Sequence, residues 1–209
     1  MKIKKVFSIL LKISVFKTLY YSIKFKAKII VGKGTVINLQ KCSKITILKG
    51  GVLFLGYEYT LPQKTVLDIY KKGEIKISGR VSINNGTKIV IGENAILSIG
   101  NKTYINEHSR IQCRKRIDIG EKCAIAWNVN ILDTDEHTIV IGGIEQLKYA
   151  DVVIGNNVWI GCNAIILKGV NIEDNVVIGA GSVVTKNIRS KTLNAGNPTK
   201  VLKENVSWF

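Results

Sequence analysis

A repeat of six residues is the feature that most constrains the fold of this chain. From residue 154 onward an aliphatic residue recurs at every sixth position, and a small or apolar residue follows four positions after each. The first set is Ile154, Ile160, Ile166, Ile172, Ile178 and Val184, and the second is Val158, Ala164, Val170, Val176, Ser182 and Ile188. A period of six fits neither an α-helix nor simple strand alternation. It predicts a short strand and a turn, with three units per triangular coil and coils stacked roughly 4.8 Å apart.

The same period continues upstream in shorter blocks separated by slips of phase. The blocks are Ile77, Ile83 and Ile89; Ile99, Ile105, Ile111 and Ile117; and Ile119, Ile125 and Ile131. Enlarged turns account for the slips, because each coil of a solenoid contacts only its neighbours. The sequence therefore predicts an all-β solenoid, a parallel β-helix, over residues 29–188.

Three segments fall outside the repeat. Residues 1–28 carry apolar side chains at spacings of three and four, with lysines between many of them, which predicts a basic amphipathic helix. The apolar positions are Ile3, Val6, Leu10, Ile13, Phe16 and Tyr20. Such a helix can cap the open end of the solenoid or lie on an anionic membrane, and the sequence leaves both alternatives open. Residues 133–150 predict a loop leaving the solenoid, and residues 189–209 a tail that packs along it.

Positive charge is concentrated at the beginning of the chain. The formal net charge is +16, and twelve lysines precede the first acidic residue, Glu58. This asymmetry suits an anionic partner, such as a membrane surface, a nucleic acid or an anionic substrate, whereas a lysine-rich composition without a partner is the alternative. We predict no nucleic-acid partner, because no recognised nucleic-acid motif or aromatic stacking pattern accompanies the lysines.

The early apolar stretch and the cysteines indicate the compartment. Lys12 and Lys17 interrupt the apolar stretch, so it predicts neither a signal peptide nor a membrane span. The four cysteines lack regular spacing, which argues against a zinc knuckle or a disulfide framework. We expect a cytoplasmic protein without a metal site, with association at the inner face of the membrane as an option.

His137 is the strongest candidate for acid–base chemistry. It is one of two histidines, with His108, and it falls in the loop predicted to leave the solenoid. Imidazole suits a general base near neutral pH. Asp133 and Asp135 are close in sequence, and either carboxylate could orient the ring. We place Asp133 with His137 in the predicted catalytic set.

Longer stretches of the sequence resemble a known family. The stretches are WNVNILDTDEHTI, NNVWIGCNAIILKGVNIEDNVVIGAGSVVTKNI and AGNPTKVLK. They are similar to the hexapeptide-repeat transferases, and in particular to galactoside, maltose and capsular-polysaccharide O-acetyltransferases. The resemblance covers roughly residues 75–203. It implies a left-handed β-helix, a homotrimer with sites between subunits, acetyl-CoA as donor, a sugar or glycan acceptor and His137 as general base.

The resemblance also implies roles for other residues. Asn106 matches an asparagine that helps to hold the acceptor, and Trp159 matches a residue packed against the pantetheine arm. Ala180, Thr185 and Lys186 match positions lining the cofactor groove, while Lys200 and Lys203 match basic residues near the nucleotide phosphates. Cys162 stands where relatives often have Ser or Gly, and this departure leaves its predicted contact with the cofactor open. The implied mechanism is direct transfer without a covalent acyl-enzyme.

Two other functions compete with sugar O-acetylation. One is N-acetylation of an amino sugar, whose amine is more nucleophilic than a hydroxyl. The other is a non-catalytic scaffold or binding protein, suggested by the basic first 57 residues. A γ-type carbonic anhydrase has a similar fold but needs three histidines around zinc, and this chain has two.

Overall fold

The computed structural model describes residues 12–56 and 63–208. The chain forms a left-handed parallel β-helix with three faces, preceded by a helix and interrupted by a loop, so the predicted fold class is confirmed. Successive strands occupy the first, second and third face in turn, and each pairs in parallel with the strand one coil away. The faces meet at three edges, which we call first–second, second–third and third–first.

The strands are grouped by face. The first face contains β1 (Lys28–Val31), β4 (Val52–Leu55), β7 (Arg80–Ile83), β10 (Tyr104–Ile105), β13 (Ala124–Ile125), β18 (Trp159–Ile160), β21 (Val177–Ile178), β23 (Thr192–Ala195) and β24 (Lys200–Glu204). The second contains β2 (Val36–Leu39), β5 (Val66–Ile69), β8 (Lys88–Ile91), β11 (Arg110–Cys113), β14 (Asn130–Leu132), β19 (Ile165–Ile166) and β22 (Val183–Val184). The third contains β3 (Lys44–Ile47), β6 (Glu74–Ile77), β9 (Ile96–Ile99), β12 (Arg116–Ile119), β17 (Val152–Ile154) and β20 (Asn171–Ile172).

The aliphatic residues of the repeat form the core. On the first face, Ile105, Ile125, Ile160 and Ile178 lie in register on successive strands, and all four are fully buried. Ile166 and Val184 pair in the same way on the second face. Burial of such a side chain contributes roughly 1.5–3 kcal/mol, so the stacked columns are a large part of the stability.

One helix, α1 (Val15–Phe25), covers the beginning of the solenoid. Tyr21 and Phe25 pack against the core, and the Ser22 hydroxyl exchanges hydrogen bonds with the backbone of Ile29. Ile13, which the apolar spacing placed in the helix, instead bridges to Gly32 in an antiparallel pair. Ile3, Val6 and Leu10 lie outside the described residues. Within the described parts of the chain, no helix is long and apolar enough to cross a membrane.

A loop and a tail leave the repeat. Between β14 and β17 the chain extends outward and forms a small antiparallel pair, β15 (Val140–Ile141) with β16 (Ile144–Glu145). At the C-terminal end, β24 turns back antiparallel to β23. The described residues after β24 run over the first face as far as Trp208, whose indole N–H donates to the carbonyl oxygen of Asn157 at 2.8 Å.

Candidate active site

An apolar groove of about 650 Å³ lies on the first face beside the first–second edge. Four residues predicted from the sequence line it: Asn106, Trp159, Cys162 and Ala180. They come from three coils, with Trp159 and Cys162 on the same coil, and the parallel register stacks the edge positions that follow the strands. The backbone N–H of Asn106 donates to the carbonyl of Ile125, that of Ala126 to Ile160 and that of Gly161 to Ile178. With roughly 4.8 Å per coil, the stack is suited to a long, thin ligand.

Aromatic side chains form much of the groove wall. Besides Trp159, the structure places Tyr104, Trp127 and Trp208 there, and none of these three was predicted from the sequence. The ring centroids of Trp159 and Trp208 are 6.1 Å apart at an interplanar angle of 49°. Trp159 remains exposed and Trp208 is half-buried. The aromatic walls therefore leave flat apolar surface available to a ligand.

Asn106 has one end of its amide engaged and the other available. Its side-chain oxygen accepts a hydrogen bond from the amide of Asn84 at 2.9 Å, and its backbone carbonyl accepts one from the hydroxyl of Thr87 at 3.2 Å. The bond from Asn84 orients the side chain, and the bond from Thr87 holds the backbone. Within the described chain its NH₂ group has no acceptor, so this group is available to bind a ligand oxygen.

His137 lies on a different edge of the prism. The loop that carries it begins after β14 on the second face and rejoins the solenoid at β17 on the third. Its side chain is exposed, and it has no hydrogen-bond partner among residues 12–56 and 63–208. None of the described groove residues comes from this loop. One copy of the chain therefore does not bring His137 and the groove together.

Asp133 has a different role from the one predicted. It is fully buried, and its carboxylate accepts hydrogen bonds from the backbone N–H groups of Arg114 at 2.6 Å, Lys115 at 2.7 Å and Arg116 at 2.8 Å. Burial raises the pKa of Asp133, although these three donors oppose the rise. The carboxylate thus holds the turn of the preceding coil, and these hydrogen bonds direct it to residues 114–116 rather than to His137.

Asp135 is also engaged away from His137. Its carboxylate forms an ion pair with the ammonium group of Lys168 at 2.8 Å, and Lys168 donates to the carbonyl of Leu147 as well. Glu136, the residue before His137, accepts from the guanidinium of Arg114 at 2.7 Å and from the amide of Gln112. Although its slight burial acts the other way, the bond from Arg114 lowers the pKa of Glu136. These contacts anchor both ends of the loop to the solenoid.

The remaining predicted residues are divided between two places. Thr185 and Lys186 follow β22 on the second face, so they lie at the second–third edge with the His137 loop. Lys200 and Lys203 are exposed on β24, at the C-terminal end of the face that carries the groove. The predicted site therefore occupies two edges of one prism.

The distribution of thiols and acids bears on metal binding. No group of three or more His, Cys, Asp or Glu side chains able to hold a metal ion occurs within the described ranges. Cys113 and Cys123 are buried in the core, and burial raises the pKa of both thiols. Cys162 is the half-buried cysteine that reaches the groove.

Comparison with known proteins decides the family. The family model "Bacterial transferase hexapeptide (six repeats)" matches residues 151–186. A probable macrolide acetyltransferase of Lysinibacillus sphaericus is 36% identical over 126 residues, which are 51% of this chain and 70% of the relative. The chain belongs to the hexapeptide-repeat acetyltransferases. The resemblance seen in the sequence is confirmed.

Two solved hexapeptide-repeat acetyltransferases align with the chain. The polySia-specific acetyltransferase NeuO superposes with a TM-score of 0.66 at 26% identity, covering 84% of this chain and 89% of that one. A galactoside acetyltransferase solved in complex with coenzyme A superposes with a TM-score of 0.52 at 35% identity, covering 60% and 64%. The chain spans 42% to 55% of the length of three further curated relatives.

Proposed function

We propose that this protein is an acetyl-CoA-dependent O-acetyltransferase that acts on a hydroxyl of a sugar or glycan. The observation that carries the proposal is the division of the site between two edges. Asn106, Cys162 and Ala180 lie at the first–second edge with Trp159 on the first face beside them, whereas His137, Thr185 and Lys186 lie at the second–third edge. A threefold arrangement of prisms with the second face inward sets the first–second edge of one copy beside the second–third edge of the next.

The groove suits the donor. Its apolar walls and its length over several coils match the methylene and amide chain of a pantetheine arm, and the galactoside acetyltransferase was solved with coenzyme A. Lys200 and Lys203 on β24 supply positive charge at the end of the same face, where nucleotide phosphates would lie. Sugar acceptors are supported by the names of the two solved relatives.

The chemistry assigned to the chain is general base catalysis. His137 removes the proton from the acceptor hydroxyl while its oxygen forms a bond to the thioester carbonyl carbon. Backbone N–H groups stabilise the negative charge on the carbonyl oxygen, and the carbon–sulfur bond then breaks. The thiolate of coenzyme A takes up the proton from His137. Asn106 holds the acceptor through its available NH₂ group.

The loop supports a trimer because its apolar surface is uncovered in one copy. Ile144 and Leu147 are 69% and 77% exposed, and Ile139, Val140 and Ile141 are exposed with them. A protruding pair of strands with so much apolar surface is typical of an interface with another chain. A second copy would cover this surface and receive His137 beside its groove.

Release of free thiol from acetyl-CoA, measured over a panel of sugars and amino sugars, tests the activity. We expect turnover with a hydroxyl acceptor. We expect His137→Ala to lower this turnover by at least about a hundredfold. His108→Ala is the matched control, since His108 is exposed in a turn of the solenoid. Unchanged turnover in His137→Ala would exclude it as the base, and turnover with amino sugars alone would favour N-acetylation.

An anionic membrane surface is the partner that we propose for helix α1. Its outer side exposes Phe16, Leu19, Tyr20 and Ile23, with Phe16 90% and Ile23 67% exposed. Lys12, Lys17, Lys24, Lys26 and Lys28 flank this stripe, and no carboxylate precedes Glu58 in the sequence. Apolar side chains can enter the acyl boundary while lysines bind anionic headgroups. The same helix covers the solenoid with its other side, so capping and membrane contact are compatible.

Vesicle sedimentation tests this partner. We expect binding to phosphatidylglycerol-containing vesicles that exceeds binding to phosphatidylcholine vesicles, falls with salt and is lost in a Phe16→Ser, Ile23→Ser double variant. Leu48→Ser is the control, because Leu48 is also exposed but lies outside the helix. Equal binding to both vesicle types would contradict the proposal. A change of oligomeric state in the double variant would instead assign the stripe to contacts between copies.

A further inference from the structure

Trp208 lies on the first face, but it belongs to the tail and not to the hexapeptide repeat. Its ring lies 6.1 Å from that of Trp159, and its N–H is held by the carbonyl of Asn157. The tail behind it is fixed by a backbone hydrogen bond from Val206 to Lys191 at 2.9 Å. The indole is therefore anchored on both sides beside the predicted pantetheine contact.

The outer surface beneath Trp208 is apolar where a solvent-facing sheet is normally polar. The outward column of the first face contains, in register, Tyr104, Ala124, Trp159, Val177 and Leu193. One coil earlier, the same column holds Ser82. Ala124 and Val177, the neighbours of Trp159 in this column, are buried. Trp208 lies along one border of this apolar strip.

Trp208 also separates two grooves of different chemistry. On one side is the apolar groove of about 650 Å³, and on the other is a polar groove of about 1050 Å³ at the third–first edge. Trp208 and Tyr104 line both. The polar groove is lined by charged and amide side chains, including Lys102, Glu121, Asn156 and Asp174. The apolar groove is therefore the better match for a ligand with methylene groups.

We infer that Trp208 is a positioning residue of the donor site, clamping the pantetheine arm of coenzyme A against Trp159. This inference rests on the proposed acetyltransferase function. Two indole rings at a tilt present a cleft of apolar surface to the methylene and dimethyl groups of the arm. Trp208 in the tail limits movement of the pantetheine arm across the groove, while the stacked coils hold the arm along the length of the groove. Trp208 touches no reacting atom, so its loss affects donor affinity rather than the chemical step.

Titration calorimetry with coenzyme A and steady-state kinetics test the inference. We expect Trp208→Ala to weaken coenzyme A binding and to raise the donor KM by about tenfold each, with kcat and acceptor KM unchanged. Trp208→Phe retains most of the affinity because it keeps an aromatic ring, and it remains informative if Trp208→Ala does not fold. Leu202→Ala is the matched control in the tail, since this exposed residue lines neither groove.

The outcomes separate this inference from the proposed function. Equal coenzyme A affinity in wild type and both Trp208 variants would overturn the clamp alone. A rise in acceptor KM without a change in donor KM would also overturn it, because Trp208 would then border the acceptor. A wild-type protein that binds no coenzyme A would refute the acetyltransferase proposal itself.

Discussion

Lys168 and Asp135 form an ion pair of 2.8 Å that ties the His137 loop to the second–third edge. Arg114 and Glu136 form a second tie one residue before the histidine. The loop is thus held at its base, while its tip is exposed. This arrangement presents His137 away from the groove of its own chain.

Mixing two impaired variants, one altered in the loop and one altered in the groove, tests whether one site uses two copies. His137→Ala retains an intact groove, and Trp159→Ala retains an intact loop. If the site lies between copies, co-refolding the two at equal amounts restores about a quarter of the intact interfaces and a similar share of activity. The measurement is thiol release before and after mixing. No recovery in mixed trimers of verified composition would place both groups in one chain.

We expect Asp133→Asn to lower the free energy of unfolding without removing a catalytic group. The new NH₂ group faces backbone N–H donors of residues 114–116, so a buried donor loses its acceptor. We expect a loss of about 1–3 kcal/mol in the free energy of unfolding, measured by urea denaturation. Asp118→Asn, which removes a surface pair with Arg116, should change it by less than about 1 kcal/mol. Equal effects of the two substitutions would contradict this assignment.

The pair of Glu136 with Arg114 predicts a pH dependence. The pKa of Glu136 is lowered below its ordinary value of 4.5 in the folded chain, so its contribution to stability is complete above that value. The contribution is lost as the pH falls through the lowered pKa. It amounts to less than about 1 kcal/mol, because the side chain is 42% exposed. The difference in melting temperature between wild type and Glu136→Gln should therefore shrink in acid, and a constant difference would refute the prediction.

Neighbouring residues of β17 give a test of the core. Ile154 is buried, whereas Val153 is 40% exposed on the same strand. Ile154→Ala removes core volume and should cost about 2–5 kcal/mol. Val153→Ala should cost less than about 1 kcal/mol. Chemical denaturation of both variants measures the two losses in the free energy of unfolding. Similar losses would show that the residues predicted to face inward contribute no more to stability than their neighbours.

The positions that face inward were predictable, because the difference between aliphatic and other side chains repeats along the chain. Ile160 and Ile178 are one coil apart and are linked by three steps of six residues, and burial selects aliphatic side chains at each step. The division of the site between two edges was harder to foresee, because enlarged turns such as the one near Arg114 disturb the count of coils. Asn106 and His137 were both singled out, yet their separation required the structure.

Two site residues show why proximity in sequence was insufficient. Asp133 is only four positions from His137, but it precedes the exit of the loop, and its carboxylate turns back to the previous coil. Trp208 follows the last repeat, where no period assigns a residue to a face. Its contact with Trp159 depends on the reversal of β24, a tertiary feature that the hexapeptide pattern does not encode.

The reversal of β24 also limits how the protein can associate end to end. A parallel solenoid that ended in an open strand would offer a template on which another chain could continue the stack into a fibre. Here the last strand of the first face runs in the opposite direction, and its exposed residues include Lys200, Lys203 and Glu204. Charge and reversed polarity at this rim therefore oppose the addition of another chain to the end of the first face.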